Sequence, residues 1–228
     1  MSAIPTALVA GEELQLLPER AVYWAREQTL FVADPHFGKA AAFRAGGVPV
    51  PRGTTTENLR RLDDALQRTN ARRLVFLGDF LHAREGRVPE TLRVLNEWRA
   101  TRSDLEMLLV RGNHDARAGD PPAELAIRCE TGPVVEAPFV FAHHPIASDN
   151  GYVLAGHIHP GVWLHGAGRQ FERLPCFWFG ARTAVLPAFG EFTGLASVDV
   201  REGDRVWVVA GDEVIDVSRS TTASSAKS

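Results

Sequence analysis

The sequence contains very little cysteine: two residues, Cys129 and Cys176, among 228. They lie far apart in the chain and form no Cys-x-x-Cys pair, which argues against a disulfide framework and against a zinc–thiolate site. We expect both thiols to be reduced and partly buried. A metal ion bound by this chain is therefore expected to have oxygen and nitrogen ligands.

Long apolar runs are also missing. The longest, such as residues 105–110, stop well short of the roughly 20 residues that a membrane span needs. Residues 1–11 contain no basic stretch followed by an apolar core, so we expect no secretory signal. These features predict a cytoplasmic protein that makes no use of a membrane.

Neither sign of charge dominates the sequence. The formal net charge is −3, so binding to nucleic acid would depend on a local basic patch or on bound metal. The composition, with 45% hydrophobic and 23% charged residues, is that of an ordinary globular protein. We expect one domain over residues 1–217, followed by a disordered tail over residues 218–228, which are poor in apolar side chains.

Strand and helix patterns alternate through the first half of the chain. Leu59, Leu62 and Leu66 recur at spacings of three and four, which predicts a helix over residues 55–69 with one buried face. A second helix is predicted over residues 89–101, and short apolar strands precede and follow both helices. After Gly132 the helical period disappears and short strands take over. This order predicts an α/β protein with parallel strands in its sheet.

Five polar clusters follow apolar strands. They are Asp34-Pro35-His36, Gly78-Asp79, Gly112-Asn113-His114-Asp115, His143-His144 and Gly156-His157-Ile158-His159. Loops at the carboxyl ends of strands in an α/β sheet converge on one crevice, so we expect these side chains to meet. Asp, Asn and His offer oxygen and imidazole ligands for ions such as Mn, Fe or Zn. The alternative is that these are unrelated loop residues. It would require six of the eight histidines to lie in such loops by chance, which argues against it.

The spacing within these clusters predicts how many ligands each one offers. Residues i and i+2 of an extended chain point to the same side, so Asp34 and His36 can face one ion together, as can His157 and His159. Adjacent extended residues face opposite sides. We therefore expect only one of His143 and His144 to be a ligand.

In this order the five clusters resemble the signature of the calcineurin-like metallophosphoesterases. The resemblance implies an α/β (α+β) fold, a two-sheet β-sandwich flanked by helices in a four-layer architecture, with a dinuclear metal site where strand ends meet. Longer stretches are similar to the bacterial ligase-associated DNA damage response endonuclease group, beginning with Asp-Pro-His-Phe-Gly-Lys-Ala at residues 34–40. The others are residues 78–82, 156–160, 174–177 and 186–194.

The resemblance also implies a role for each residue of the clusters. One ion would be bound by Asp34, His36 and His159, the other by Asn113, His143 and His157, with Asp79 bridging both. The family pattern thus favours His143 over His144. His114 would contact the substrate phosphate or protonate the leaving oxygen, and Asp115 would orient its ring. The cofactor implied is a pair of divalent ions, with manganese preferred and iron, zinc or magnesium as alternatives.

The function implied is that of a phosphodiesterase or endonuclease that hydrolyses DNA phosphodiester bonds. The endonuclease group is associated with a DNA ligase and a helicase, which implies DNA repair on single-stranded or structured DNA. Two other functions stay open. One is hydrolysis of small phosphodiesters, nucleotides or pyrophosphates; the other is an inactive binding scaffold, against which the complete ligand set and His114 argue.

Basic residues within or shortly after the metal-bearing loops form a candidate rim for a phosphate backbone. They are Lys39, Arg44, Arg52, Arg84, Arg87, Arg111 and Arg117. Lys39, Arg44, Arg84 and Arg87 are the candidates for substrate contact, with ordinary surface arginines as the alternative. His82 either supports the site, touches the substrate or is a plain loop residue. No helix-turn-helix or zinc finger is visible, so we expect no base specificity.

Overall fold

The computed structural model of the protein describes residues 4–165 and 171–218. Beyond Ser218, the tail predicted to be disordered lies outside the described residues. Two β-sheets face each other across an apolar core, and helices pack on the outer face of the first sheet. A two-sheet β-sandwich flanked by helices is therefore confirmed. The single domain predicted for residues 1–217 stays a prediction.

The first sheet contains seven strands in sequence order. They are β1 (Thr6–Val9), β2 (Glu12–Leu17), β3 (Ala21–Trp24), β4 (Thr29–Val32), β5 (Arg73–Phe76), β6 (Glu106–Val110) and β7 (Arg128–Glu130). Strands β1 to β4 are antiparallel hairpins, whereas β4, β5, β6 and β7 are parallel. The parallel strands β4, β5 and β6 therefore end at the same edge of the sheet.

Four α-helices lie between β4 and β7 in the described chain. They are α1 (Lys39–Ala45), α2 (Thr54–Thr69), α3 (Pro89–Ala100) and α4 (Asp115–Ala118). The predicted leucines Leu59, Leu62 and Leu66 of α2 are buried against one face of the first sheet, together with Leu95 of α3. The two helices predicted from periodicity are present. No helix in the described part of the chain is long and apolar enough to cross a bilayer.

The second sheet is built from nine strands of the described residues. They are β8 (Val134–Glu136), β9 (Phe139–Phe141), β10 (Tyr152–Ala155), β11 (Pro160–His165), β12 (Phe171–Phe179), β13 (Thr183–Val185), β14 (Ala196–Ser197), β15 (Arg205–Ala210) and β16 (Glu213–Asp216). Strand β10 is parallel to both β9 and β13, so the loops after β9 and β10 leave the sheet at one edge. The sequence pattern predicted a strand-rich second half, although β14 is much shorter than the apolar run around it.

The core between the sheets explains why the strands carry apolar residues on both faces. In β4, Phe31 faces the second sheet, where its ring lies 4.9 Å from that of Phe141, while Leu30 and Val32 face the helices. Strands covered on both sides read as continuous apolar runs in the sequence. Beyond β4, Ala33 forms a parallel bridge with Ala188, which ties the two sheets together at the edge where the polar loops begin.

Candidate metal centre

The five polar clusters meet at this edge of the sandwich. Asp34, Asp79 and Asn113 follow β4, β5 and β6 of the first sheet, whereas His143 and His157 follow β9 and β10 of the second. The site is thus formed by loops from both sheets, and neither sheet alone supplies a full set of ligands. Groups of Asp and His in these loops have ligand atoms within 4.8 Å of one another, close enough to share a metal ion.

The first predicted half-site consists of Asp34, His36 and His159. These three residues form one of the groups able to hold an ion, and Nε2 of His159 lies 3.6 Å from Oδ2 of Asp34. Burial is the main reason why the pKa of His36 lies far below its ordinary value, with the charge of Lys39 as the next cause. A neutral imidazole keeps the lone pair that ligation requires.

The second predicted half-site is organised around His143. Its Nδ1 lies 3.0 Å from the carbonyl oxygen of Leu77, which can only accept, so Nδ1 carries the proton and Nε2 is left with its lone pair. That Nε2 lies 2.9 Å from Oδ1 of Asn113 and 3.1 Å from Nδ1 of His157. A metal-ligating histidine commonly donates its other ring nitrogen to a carbonyl in this way.

Asp79 lies between the two half-sites. One carboxylate oxygen, Oδ1, is 3.5 Å from Nε2 of His143, and the other, Oδ2, is 3.9 Å from Nε2 of His36. Burial raises the pKa of this carboxyl, and the nearby carboxylate of Asp34 raises it further, although His143 opposes both. The two oxygens of Asp79 therefore face opposite halves of the site, as a bridging ligand requires.

Buried polar atoms without hydrogen-bond partners test whether a cation fits this site. They include Oδ1 of Asp34, both ring nitrogens of His36 and Nε2 of His159. An unpaired buried polar atom costs about 1–3 kcal/mol, and several in one place call for a ligand that satisfies them together. Oxygen and imidazole donors with no thiolate suit a divalent ion of the Mn, Fe or Zn type. The residues present therefore fit a pair of divalent ions.

The backbone at the predicted ligands is left-handed, which corrects the spacing argument. Asp34, His36, Asp79, His157 and His159 have φ values of 51°, 47°, 52°, 70° and 52°. The Asp-x-His and His-x-His segments are therefore not extended, and simple alternation is not what brings their side chains together. Non-glycine residues with positive φ cost free energy and cluster at functional sites, where the surrounding structure holds them in place.

Two glycines of the motifs are needed because ligands from other loops pack against them. A Cβ at Gly112 would collide with the carboxylate of Asp79, and a Cβ at Gly156 would lie 2.7 Å from Oδ2 of Asp34. The same Oδ2 accepts a 2.8 Å hydrogen bond from the backbone N–H of His157. The glycine of one motif thus makes room for the ligand of another.

His114 lies at the margin of the two half-sites and is held by His82. Its Nδ1 is 2.6 Å from the carbonyl oxygen of His82, and the two rings stack with centroids 4.9 Å apart. Because the carbonyl only accepts, Nδ1 of His114 carries a proton and Nε2 faces the site, 3.9 Å from Oδ2 of Asp79. Burial and the charge of Lys39 lower the pKa of His82 to about 4.

Asp115 does not orient the ring of His114, contrary to the expectation from the sequence. Its carboxylate accepts hydrogen bonds from the backbone N–H groups of Gly112 (2.9 Å) and Leu81 (3.3 Å). Burial raises the pKa of Asp115 to about 6. Asp115 therefore links the Asp79 loop to the Asn113 loop. It is the first residue of α4, and its carboxylate points to backbone N–H groups instead of the ring of His114.

His144 lies beside the second half-site, although it points away from the core. His143 is buried and His144 is exposed, as expected for neighbours that face opposite sides. The ring of His144 nevertheless lies 4.0 Å from that of His157, and the three histidines form one of the groups able to hold an ion. His143 is therefore the more enclosed of the two candidate ligands, and His144 still lies close enough to the site to bind an ion.

The basic residues of the predicted rim differ in their surroundings. Lys39 is buried beside Asp34 and Asp79. Burial lowers the pKa of Lys39, and the charges of the two carboxylates oppose this effect. Arg84 donates to the carbonyl of Arg117 (2.8 Å), and Arg87 donates to that of Asp120 (2.6 Å). Three further arginines of the rim also have partners in the chain.

Those partners hold the loops around the site. Arg44 donates to the carbonyl of Pro51 (3.0 Å), Arg52 lies 3.6 Å from Glu90, and Arg111 pairs with Asp120 at 2.7 Å. Part of the hydrogen-bonding capacity of these arginines is therefore used inside the molecule. Contact of Lys39, Arg44, Arg84, Arg87 or His82 with a substrate stays a prediction.

Asn58 and Arg61, which lie outside the sequence motifs, belong to a group of residues that supports the loop of Asp34. Asn58 of α2 donates to the carbonyl of Pro35 (3.4 Å), and the backbone N–H of Gly190 donates to that of Asp34 (3.1 Å). Arg61 donates to the carbonyl of Phe189 and pairs with Glu191 at 2.5 Å. The only sequence signal for this support was the resemblance over residues 186–194.

Comparison with known proteins agrees with this geometry. A family model described as calcineurin-like phosphoesterase matches residues 28–216. Among solved structures, the nuclease MPE of Pseudomonas putida is 40% identical with a TM-score of 0.83, and the match covers 94% of this chain and 100% of that chain. No curated protein matches this chain at a significant level.

Two other solved structures are far more distant, each with a TM-score of 0.41. A protein of unknown function from Aquifex aeolicus is 19% identical, over 57% of this chain and 78% of that chain. The phosphoesterase Yfce from E. coli is 16% identical, over 83% of this chain and 98% of that chain.

Proposed function

Because the chain belongs to the calcineurin-like phosphoesterase family, we propose that it is a metal-dependent nuclease that hydrolyses phosphodiester bonds of DNA. The observation that carries the proposal is the 40% identity to the Pseudomonas putida nuclease MPE, which extends over the whole of that chain. The family match over residues 28–216 includes the loops in which the predicted ligands meet. The assignment of metal-dependent phosphoesterase follows from the family; DNA as the substrate is the part that we propose.

The ligand roles that we propose follow the distances at the site. Asp34, His36 and His159 bind one divalent ion, Asn113, His143 and His157 bind the other, and Asp79 bridges them. Manganese is the ion that we propose, since it suits mixed oxygen and imidazole ligands. Bound there, two such ions would lower the pKa of an attacking water and neutralise charge on the phosphoryl oxygens.

The chain itself contributes a proton donor and positive charge. With Nδ1 of His114 bonded to the carbonyl of His82, its Nε2 faces the site, and in the doubly protonated imidazolium form this Nε2 can donate its proton to the leaving oxygen. The two carboxylates Asp34 and Asp79 only partly neutralise two divalent ions, and the ammonium of Lys39 lies close to both carboxylates. The net positive potential of the site favours a phosphate group.

A role in DNA repair together with a DNA ligase and a helicase is the finer part of the proposal. It is supported by the resemblance of five sequence stretches to the ligase-associated group. The last of these, residues 186–194, contains the loop of Gly190 that supports Asp34. The described residues form two sheets flanked by helices, and the sequence has no helix-turn-helix or zinc finger of the kind that reads bases, which supports cleavage without base preference. Its location in the cytoplasm is a prediction from the sequence.

A substrate panel with added Mn²⁺ tests the proposal. The panel contains bis-p-nitrophenyl phosphate, p-nitrophenyl phosphate, cyclic nucleotides, pyrophosphate, and single-stranded, gapped and duplex DNA, with His114→Ala as the control for a contaminating nuclease. We expect turnover of the diester and cleavage of single-stranded or gapped DNA, both dependent on His114. Turnover of a nucleotide or pyrophosphate without cleavage of any DNA would identify a hydrolase of small phosphate compounds instead.

A further inference from the structure

Three large aromatic side chains are exposed in the described part of the structure. Trp163, Phe171 and Phe192 are 49%, 64% and 48% exposed, and they are the exposed aromatic residues among the described large hydrophobic ones. Single exposed apolar residues are common in proteins and need no explanation. Here, however, two of the three rings are in contact: the centroids of Trp163 and Phe171 lie 5.7 Å apart in an edge-to-face arrangement.

The hairpin of β11 and β12 presents these rings on its outer face. Trp163 is directly opposite Arg173 in the register of this antiparallel pair, and Phe171 is two residues before Arg173 on the same side. The guanidinium of Arg173 lies 5.7 Å from the centre of the Trp163 ring. On the opposite face of the hairpin, Val162 and Leu174 pack against the core of the second sheet.

The hairpin starts at the metal centre. Strand β11 begins at Pro160, directly after the predicted ligand His159, and Trp163 is four residues further along the strand. At about 3.3 Å per residue, the backbone of Trp163 lies roughly 13 Å from that of His159. The third exposed ring, Phe192, belongs to the loop in which Gly190 donates to the carbonyl of Asp34.

We propose that Trp163, Phe171 and Arg173 form an aromatic platform on which bases of single-stranded DNA stack while the backbone reaches the metal centre. The inference rests on the proposed nuclease function and specifies its substrate. Exposed aromatic rings with a neighbouring cation are the means by which proteins hold unpaired bases without reading their sequence. In a duplex the base faces are already covered by their neighbours, so the platform discriminates in favour of single strands.

Charge and continuity favour DNA over a protein partner on this surface. Arg173 places a cation beside the rings, where a phosphate of the same strand can pair with it. One hydrogen-bond donor of Arg173 contacts Oγ of Ser197 at 2.9 Å, which fixes the guanidinium next to Trp163. A strand running along β11 leads from the rings directly to His159, so a bound substrate crosses both places.

Binding of two labelled oligonucleotides tests the platform. One is a 12-nucleotide oligothymidylate, and the other is an abasic strand of the same length and charge. Both are titrated by fluorescence anisotropy with His114→Ala protein in Mn²⁺, so that cleavage does not interfere. Because stacking on one ring changes affinity about 5- to 150-fold, we expect the abasic strand to bind correspondingly more weakly than oligothymidylate.

Variants of Trp163 locate the effect. Trp163→Leu keeps an apolar side chain but removes the ring, so we expect the Kd for oligothymidylate to rise about 5- to 150-fold and the Kd for the abasic strand to change little. Trp163→Tyr keeps an aromatic face and should restore most of the affinity. Leu8→Ala, an exposed apolar residue of β1 that is 62% exposed, is the matched control and should resemble the parent protein.

The failure of the platform is distinguishable from the failure of the proposed function. Equal Kd values for the two strands, in a protein that cleaves DNA when His114 is present, would overturn the platform alone. The platform would also be overturned if Trp163→Leu abolished self-association of the protein and left its DNA affinity unchanged. The rings would then be assigned to a contact between copies of the chain. Turnover of small diesters with no binding or cleavage of any DNA would overturn both inferences.

Discussion

Gly156→Ala is the substitution whose effect follows most directly from the geometry of the site. The backbone of Gly156 is not left-handed, so the space around the new methyl group is the main determinant of the effect. An ideal Cβ would lie 2.7 Å from Oδ2 of Asp34, 2.8 Å from Cβ of Ala33 and 2.9 Å from the carbonyl oxygen of Leu77. All three neighbours are buried, and at least one has to move.

The cost of that movement has two parts. Overpacking of a tight core site costs about 1–3 kcal/mol. Movement of Oδ2 also weakens its 2.8 Å hydrogen bond from the N–H of His157, and such bonds to a charged group are worth about 1.5–3 kcal/mol. These two contributions are not independent, because the same relaxation relieves both. We therefore expect the free energy of unfolding to fall by about 3 kcal/mol, which lowers Tm by roughly 6–12 °C for a domain of this size.

Thermal unfolding in EDTA and titration of the metal-free protein with Mn²⁺ measure the two consequences separately. Asp34 is a predicted ligand, and disturbance of the groups that orient a ligand weakens metal affinity about 10- to 100-fold. Gly194→Ala is the matched control, because a Cβ at Gly194 would meet no atom within 4 Å and its backbone is not left-handed. If Gly156→Ala matched Gly194→Ala in Tm and in Mn²⁺ affinity, the close packing of the strand ends would be refuted.

Four further expectations concern the predicted ligands and His114. His143→Ala should lose one of two manganese ions in metal analysis, whereas His144→Ala should keep both; the reverse pattern would exchange their roles. Asp79→Asn should lower metal occupancy and activity together, since it weakens the bridge, and retention of both ions would exclude bridging. His114→Ala should keep both ions but lose about 10²- to 10⁴-fold in kcat, as expected for a proton donor. Removal of the ions with EDTA should abolish hydrolysis, and added Mn²⁺ should restore it.

The sequence by itself determined a mixed α/β class and the identity of the clustered residues, whereas the two-sheet sandwich was expected from the family resemblance. Leu59, Leu62 and Leu66 predicted a helix with one buried face, because a period of 3.6 residues leaves no other arrangement that buries them together. The polar clusters after apolar strands predicted one site, because parallel strands end at one edge of a sheet, although the clusters come from the edges of two sheets. These inferences need only local periodicity and chain order, both of which are visible in a single sequence.

Short elements with weak patterns were not visible in this way. The helix α1, with Lys39 at its start, and the strand β11, with Trp163, carry no regular period over enough residues to separate them from loops. Their structure depends on neighbours that are distant in the chain, since β11 is held by β12 and β14 and α1 by the loop around Gly86. Tertiary pairing overrides weak local preference in such segments.

Only the tertiary structure decided how the side chains are used. It placed Asp34 and His36 in left-handed backbone, so that their convergence comes from bonds to neighbouring loops rather than from alternation. In the folded chain the carboxylate of Asp115 accepts a hydrogen bond from a backbone N–H group, and the ring of His114 is bonded to the carbonyl oxygen of His82. A residue's partner is chosen by which atoms meet after two sheets have packed, and hydrogen bonds of that kind have no signature in the order of the residues.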